Sequence, residues 1–412
     1  MMRKMLAIVL LIGLMVSVML VSGVASPVFS DISTHWAKGN IEQAVTKGYV
    51  SGFPDGTFRP NDSVTVAQFL TMMFLSFTEV KEDGNRDWSD AILDRTPESP
   101  RKQFTDYAYD FSQGTPWYSN HVKNAKSFIV INEWEYEDKY NEPLTREKAA
   151  KMVNVMVSWS DGPVHVEYAK LAVTKMKDYT EFTPGWERLA AESMIRGILS
   201  GYPDGNFQPK RAITRAEAIS VIERINNYEL RYPITVNLTD VPYSKVWSGG
   251  GYGPYVHVFP NWEMKNVWDQ LVKDIQYATG AMEQSGPSIY YFEDYETLLE
   301  GVAYRSDSSQ WYLGKLYYDM LISAASNTYN INLAGVDGRF ERRSDSLLRF
   351  LNSVFKEEGA EVHQLITESM AKHRSGSLSK VDTIIENRQV VIGSTASGNN
   401  IMNIAISGYA DK

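Results

Sequence analysis

Residues Gly48 to Gln68 read GYVSGFPDGTFRPNDSVTVAQ, and residues Gly197 to Glu217 read GILSGYPDGNFQPKRAITRAE. At a constant offset of 149, ten of the 21 positions are identical, and every Gly and both Pro positions of the first stretch recur in the second. That density marks an internal repeat, and it governs the reading of the first half of the chain. A third copy is read between the two, over about Asp106 to Trp159, because ungapped alignment sets Thr145 against Thr65 and Thr214. It has lost the Pro-Asp-Gly segment and carries Trp134, Glu135 and Tyr136 in its place.

Each copy has a physical reading. Trp36, Ile41, Ala44 and Val45 fall at helical spacing, and Gly48 then stops the helix. Pro54-Asp55-Gly56 and Pro203-Asp204-Gly205 are turns, Pro fixing φ and Gly supplying a positive one. A second helix starts at Thr65, Thr145 or Thr214. Its apolar face is Leu70, Met73, Phe74 and Phe77 in the first copy, and Ile219, Ile222 and Ile225 in the last. One helix–loop–helix of this size cannot bury its own apolar face, so the copies are expected to pack on one another.

The segments Phe29-Ser30-Asp31 with His35-Trp36-Ala37, Gly52 through Pro60, Gly201 through Phe207, and Ile213-Thr214-Arg215-Ala216-Glu217 resemble the S-layer homology family. The resemblance covers residues 29–228, about half the chain, as three modules at about 29–80, 106–160 and 176–228; the middle one is degenerate. It implies a mainly α, pseudo-threefold assembly of three modules. It also implies non-covalent attachment to secondary cell-wall polysaccharide, often an acidic, pyruvate-bearing polymer, in Gram-positive-type envelopes.

Thr-x-x-Glu or Thr-x-x-Gln before an apolar run is also a capping box, which accounts for Thr214 with Glu217 and Thr65 with Gln68 without any ligand. Arg215 is different, because a cation in the first turn opposes the helix dipole at a cost of up to about 1 kcal/mol. Its forked donors suit a carboxylate or phosphate. The middle copy keeps Arg146 but has Lys148 where the box needs an acid, so its cap is expected to be broken. The first copy keeps the box but has Val66 in place of the arginine. At most two of three sites are therefore expected to use this cation, and Arg146 and Arg215 are read either as polymer contacts or as structural ion pairs. By resemblance, Asp31, Trp36, Asp178 and Trp186 line a sugar groove. By ordinary usage Asp31 is a turn or cap residue and Trp36 is core. Asp178 and Gly197 are separated by two residues more than Asp31 and Gly48, and Trp186 is one residue closer to its glycine than Trp36 is, which leaves their equivalence open.

Composition sets the frame around the repeat. The chain has 412 residues, 41 Lys and Arg against 50 Asp and Glu, and no Cys. Disulfides, thiolate metal sites and a Cys nucleophile are excluded. The acidic balance argues against nucleic acid as a partner, and an acidic polymer must be held by a few placed cations. Arg3 and Lys4, the apolar run from Leu6 to Val21 and small residues at Gly23, Ala25 and Ser26 read as an export signal over residues 1–25, cleaved after Ala25. The remaining chain carries 39 − 50 = −11.

Past Asn227 the repeat stops, and residues 229–412 are read as one separate α+β domain. Tyr232–Asn237 is a strand or linker, residues 248–254 a Gly-rich loop, and Tyr255–Phe259 a strand. Asn261 caps a helix with Trp268, Leu271, Val272 and Ile275 on one face. Helical patterns follow near 291–304, 310–325, 346–356 and 361–372, and 389–393 with 401–406 form a terminal hairpin. Its chemistry is illegible. The six His show no metal-ligand spacing, and there is no Gly-x-Ser-x-Gly elbow. Glu293, Asp294 and Glu296 are read as a solvated face in preference to a glycosidase pair. No catalytic residue, cofactor or metal is assigned. The leading expectation is a secreted wall-anchored protein displaying residues 229–412. The alternatives are an anchored glycan hydrolase with its site after residue 230, and a surface-array subunit that contacts other surface-layer proteins.

Overall fold

The computed structural model describes residues 29–132, 135–136, 139–248, 252–306, 318–336, 338–395 and 400–408. The export signal, Trp134 and part of the Gly-rich loop lie outside these residues. The elements before residue 230 are helices and one short hairpin: α1 (Lys38–Thr46), α2 (Val66–Ser76), β1 (Thr78–Val80), β2 (Arg86–Trp88), α3 (Asp90–Arg95), α4 (Glu98–Thr105), α5 (Ser119–Ser127), α6 (Arg146–Asp161), α7 (Val166–Val173), α8 (Trp186–Ile195) and α9 (Arg215–Asn226). After it come β3 (Tyr243–Trp247), β4 (Pro254–Val258), α10 (Trp262–Asp274), β5 (Ala281–Ser285), β6 (Ser288–Phe292), α11 (Tyr295–Ser306), β7 (Met320–Ala325), β8 (Thr328–Ala334), α12 (Arg339–Val354), α13 (Gly359–Arg374), β9 (Val381–Ile385), β10 (Arg388–Ser394) and β11 (Ile401–Ser407).

Two hydrophobic cores form, one from Phe29 to Val236 and one from Val246 to Ile406. At the centre of the first, three backbone amides close a circuit. Val64 N donates to Ile213 O (3.1 Å), Ile213 N to Leu144 O (2.9 Å), and Leu144 N to Val64 O (2.9 Å). All three side chains are fully buried. These residues each precede a helix start, so α2, α6 and α9 diverge from one point. Thr65 and Thr214 make reciprocal capping boxes with Gln68 and Glu217. Thr145 caps nothing, as Lys148 predicts, and its Oγ1 is buried without a partner.

The second core lies between helices and an antiparallel sheet of strand order β5-β6-β7-β8-β11-β10-β9. The terminal hairpin pairs Ile392 with Ile404, and Tyr255–Phe259 is strand over most of its length. Three expectations are corrected. The described part of the 310–325 pattern is strand, because Met320, Ile322 and Ala324 alternate inward with period two. The buried face of α10 is Met264, Val267, Trp268 and Leu271; Val272 is exposed and Ile275 lies beyond the helix end. The run from Tyr291 begins in β6, and its helix starts only at Tyr295, behind an Asp294 cap. Residues 231–238 form no strand and run as a linker. No described helix is long and apolar enough to cross a membrane.

Candidate functional site

Arg215, the first residue of α9, folds back over the loop of the first repeat. Its Nε donates to Phe58 O (3.1 Å) and its Nη2 to Ser51 O (3.0 Å), while its backbone N donates to Asp62 O (2.8 Å). Arg146, the first residue of α6, makes the same set on the loop of the last repeat: Nε to Phe207 O (2.8 Å), Nη2 to Ser200 O (2.7 Å), and N to Arg211 O (2.9 Å). Ser51 and Ser200, and Phe58 and Phe207, are related by the repeat offset. Each guanidinium also lies over two rings, Phe53 and Phe58 for Arg215, Tyr202 and Phe207 for Arg146, at 4.5 to 5.1 Å.

Both arginines are buried, and burial lowers both guanidinium values, that of Arg146 to about 10. At that value Arg146 stays charged at neutral pH. Carbonyl acceptors offset the unfavourable helix-dipole position that the sequence exposed. Beyond the ion pair of Arg146 with Glu217, the main contacts of both side chains are to main-chain carbonyls. The arginines are clamps on backbone carbonyls of a neighbouring repeat. Arg215 Nη1 makes no hydrogen bond among the described residues, and Arg146 Nη1 has only Glu217, 3.9 Å away. At the start of α2, Val66 N meets Glu142 O (3.1 Å), with a valine where α6 and α9 have an arginine.

Asp31 and Asp178 hold the same loops from the other side. Asp31 accepts from Phe58 N (2.8 Å) and Arg59 N (2.7 Å), and Asp178 from Phe207 N (2.8 Å) and Gln208 N (2.7 Å). The two-residue shift between them in sequence therefore leaves the contacts unchanged. Desolvation acts to raise the Asp31 value, but the two amides outweigh it and hold the carboxyl below its ordinary range.

Trp36 corrects the expectation of a core residue. It is 66% exposed, because α1 begins only at Lys38 and buries Ile41 and Ala44 instead. Trp186 is half-buried, with Lys151 Nζ 5.1 Å from its ring centre. The structure adds cations that the sequence reading passed over. Arg59 lies 4.0 Å over Phe53 and pairs with Asp55 (2.8 Å). Arg211 contacts Tyr202 and Glu217, and Lys210 pairs with Glu147 at 2.6 Å. The signal for them was present, since each is a basic residue within two positions of the second repeat proline, Pro60 or Pro209.

After residue 230, Asp294 accepts from Thr297 N (2.8 Å) as a helix cap and Glu293 pairs with Arg342 (3.3 Å). Among the described residues no group of three or more His, Asp or Glu is placed to hold a metal.

A family model described as the S-layer homology domain matches residues 28–70 and 195–219. The chain is similar to the exoglucanase XynX of Acetivibrio thermocellus, at 26% identity over 207 residues, 49% of this chain and 17% of that protein. It is similar to S-layer protein EA1 of Bacillus anthracis at 26% over 211 residues, 49% of this chain and 21% of that protein. A cellulosome-anchoring protein of Acetivibrio thermocellus is 46% identical over 43 residues, 10% of each chain. The chain thus spans no more than about a fifth of the length of these relatives. Two segments of the chain, one in the first repeat and one in the last, thus match the S-layer homology domain.

Proposed function

We propose that residues 29–228 form three modules around a pseudo-threefold axis and anchor the protein non-covalently to an anionic secondary wall polysaccharide. In this reading residues 229–412 form a separate displayed domain. The observation that carries it is the paired clamp: Arg215 on Ser51 and Phe58, and Arg146 on Ser200 and Phe207, each set where two repeats meet. The closed circuit of Val64, Leu144 and Ile213 supports the axis. Arg215 Nη1 is left for an acidic sugar, Arg146 Nη1 would exchange Glu217 for one, and Trp36, Arg59, Trp186 and Lys210 are assigned as further contacts. In an acidic chain such local cations are what an acidic polymer requires. Retention of the full chain by purified wall polysaccharide tests this reading, with polymer stripped of its acidic substituents as control. Equal retention by both polymers contradicts an anionic contact, and no retention contradicts anchoring.

The likeness to an exoglucanase favours a second reading, in which residues after 230 act on glycans. Release of reducing ends from wall or plant glycans by the full chain tests it, and no release at substrate excess contradicts it.

A further inference from the structure

The two cores meet at a pair of histidines. His165 is the residue before α7, and His257 lies on β4; their rings face each other with centroids 4.0 Å apart, tilted by 44°. Val258 N donates to His165 Nδ1 (3.2 Å), so that nitrogen must be unprotonated for the contact to exist. His257 is buried, its Nδ1 has no partner, and Phe259 packs 4.7 Å from its ring. A second contact adjoins them. Tyr252 donates from its hydroxyl to Trp159 O (3.2 Å), and its ring lies on Gly162, where a Cβ would come within 2.8 Å.

The surroundings offer a proton little compensation. On α7, Glu167 is engaged by Lys170 (2.8 Å), and Tyr168 follows it. On β3, Ser244 stands opposite His257 and donates to Asp269 of α10 (2.8 Å), which also pairs with Lys265, while Tyr243 and Lys245 flank Ser244. Tyr255 lies 6.3 Å from the His257 ring. No carboxylate hydrogen-bonds either imidazole among the described residues. Burial lowers both values, that of His257 to about 3, with the neighbouring His165 adding to the effect.

We propose that this junction is an acid-released latch: when the two adjoining imidazoles take up protons, the half carrying β4 detaches from α7 while both cores stay folded. A group whose value is depressed by docking supports docking fully above its ordinary value of 6.5, and that support is lost as pH falls toward about 3. Within that window protonation of His257 weakens docking by up to about tenfold per pH unit. This inference concerns the contact between the cores and is independent of what either core binds.

Small-angle X-ray scattering of the full chain from neutral pH to about pH 4, with far-ultraviolet circular dichroism in parallel, tests it. The expected result is a rise in radius of gyration with the dichroism unchanged. The double variant His165→Gln, His257→Phe is expected to stay compact throughout; His257→Asn serves if that variant does not fold. A constant radius for the unmodified chain overturns the proposal. So does loss of dichroism in the same transition, or opening of the variants at the same pH.

Discussion

Arg215 donates from Nη2 to the carbonyl oxygen of Ser51 at 3.0 Å, across 164 positions of sequence. Arg146 makes the equivalent bond to Ser200 at 2.7 Å. Each arginine ties its helix start to a loop on a neighbouring repeat, so part of its role is to hold repeats together. Arg215→Ala and Arg146→Ala each remove two charged hydrogen bonds and leave the carbonyl of a buried residue, Phe58 or Phe207, without its guanidinium donor. The expected loss of stability is about 2–4 kcal/mol, read by urea or thermal unfolding. No change in the midpoint would remove the clamp from the account.

The helix caps give a sharper contrast. Thr65→Ala and Thr214→Ala break capping boxes and are expected to cost about 1 kcal/mol each. Thr145→Ala removes a hydroxyl that is buried without a partner, so it is expected to be neutral or slightly stabilising. Equal losses at all three positions in chemical denaturation would contradict the broken cap.

How much of this was legible in sequence depends on the distance over which a contact acts. The caps at Thr65 and Thr214, and the missing one at Thr145, are decided within four residues and were readable. The loss of the arginine at Val66 was readable from the repeat alignment. The clamp was not, because the acceptors of Arg215 are main-chain carbonyls in another repeat, and no side chain at Ser51 or Phe58 announces them. Trp36 was misread because its helix starts two residues later than its spacing with Ile41 implies. Met320–Ala325 was misread because a short apolar run fits helical and strand periods alike, and only its partners in the sheet decide between them.

Asp161 is a buried carboxylate held by Arg231 and Arg196, with Tyr228 donating at 2.8 Å. Desolvation acts to raise its value, yet the two guanidinium groups hold it below the ordinary carboxylate range. Its contribution is present above the unfolded value near 3.8 and is lost as pH falls through the folded one. Asp161→Ala is expected to cost about 3–5 kcal/mol at neutral pH, because it leaves buried cations unpaired. A loss under about 1 kcal/mol in equilibrium unfolding would show the pair to be dispensable.

The measurement that bears most directly on wall attachment uses Trp36, which is exposed and supports no core. Affinity of the full chain for purified anionic wall polysaccharide is compared with that of Trp36→Ala, whose unfolding midpoint is expected to be unchanged. The account predicts weakening of about tenfold, as for an aromatic contact at a binding surface. Unaltered affinity, or no affinity in the unmodified chain, would contradict it.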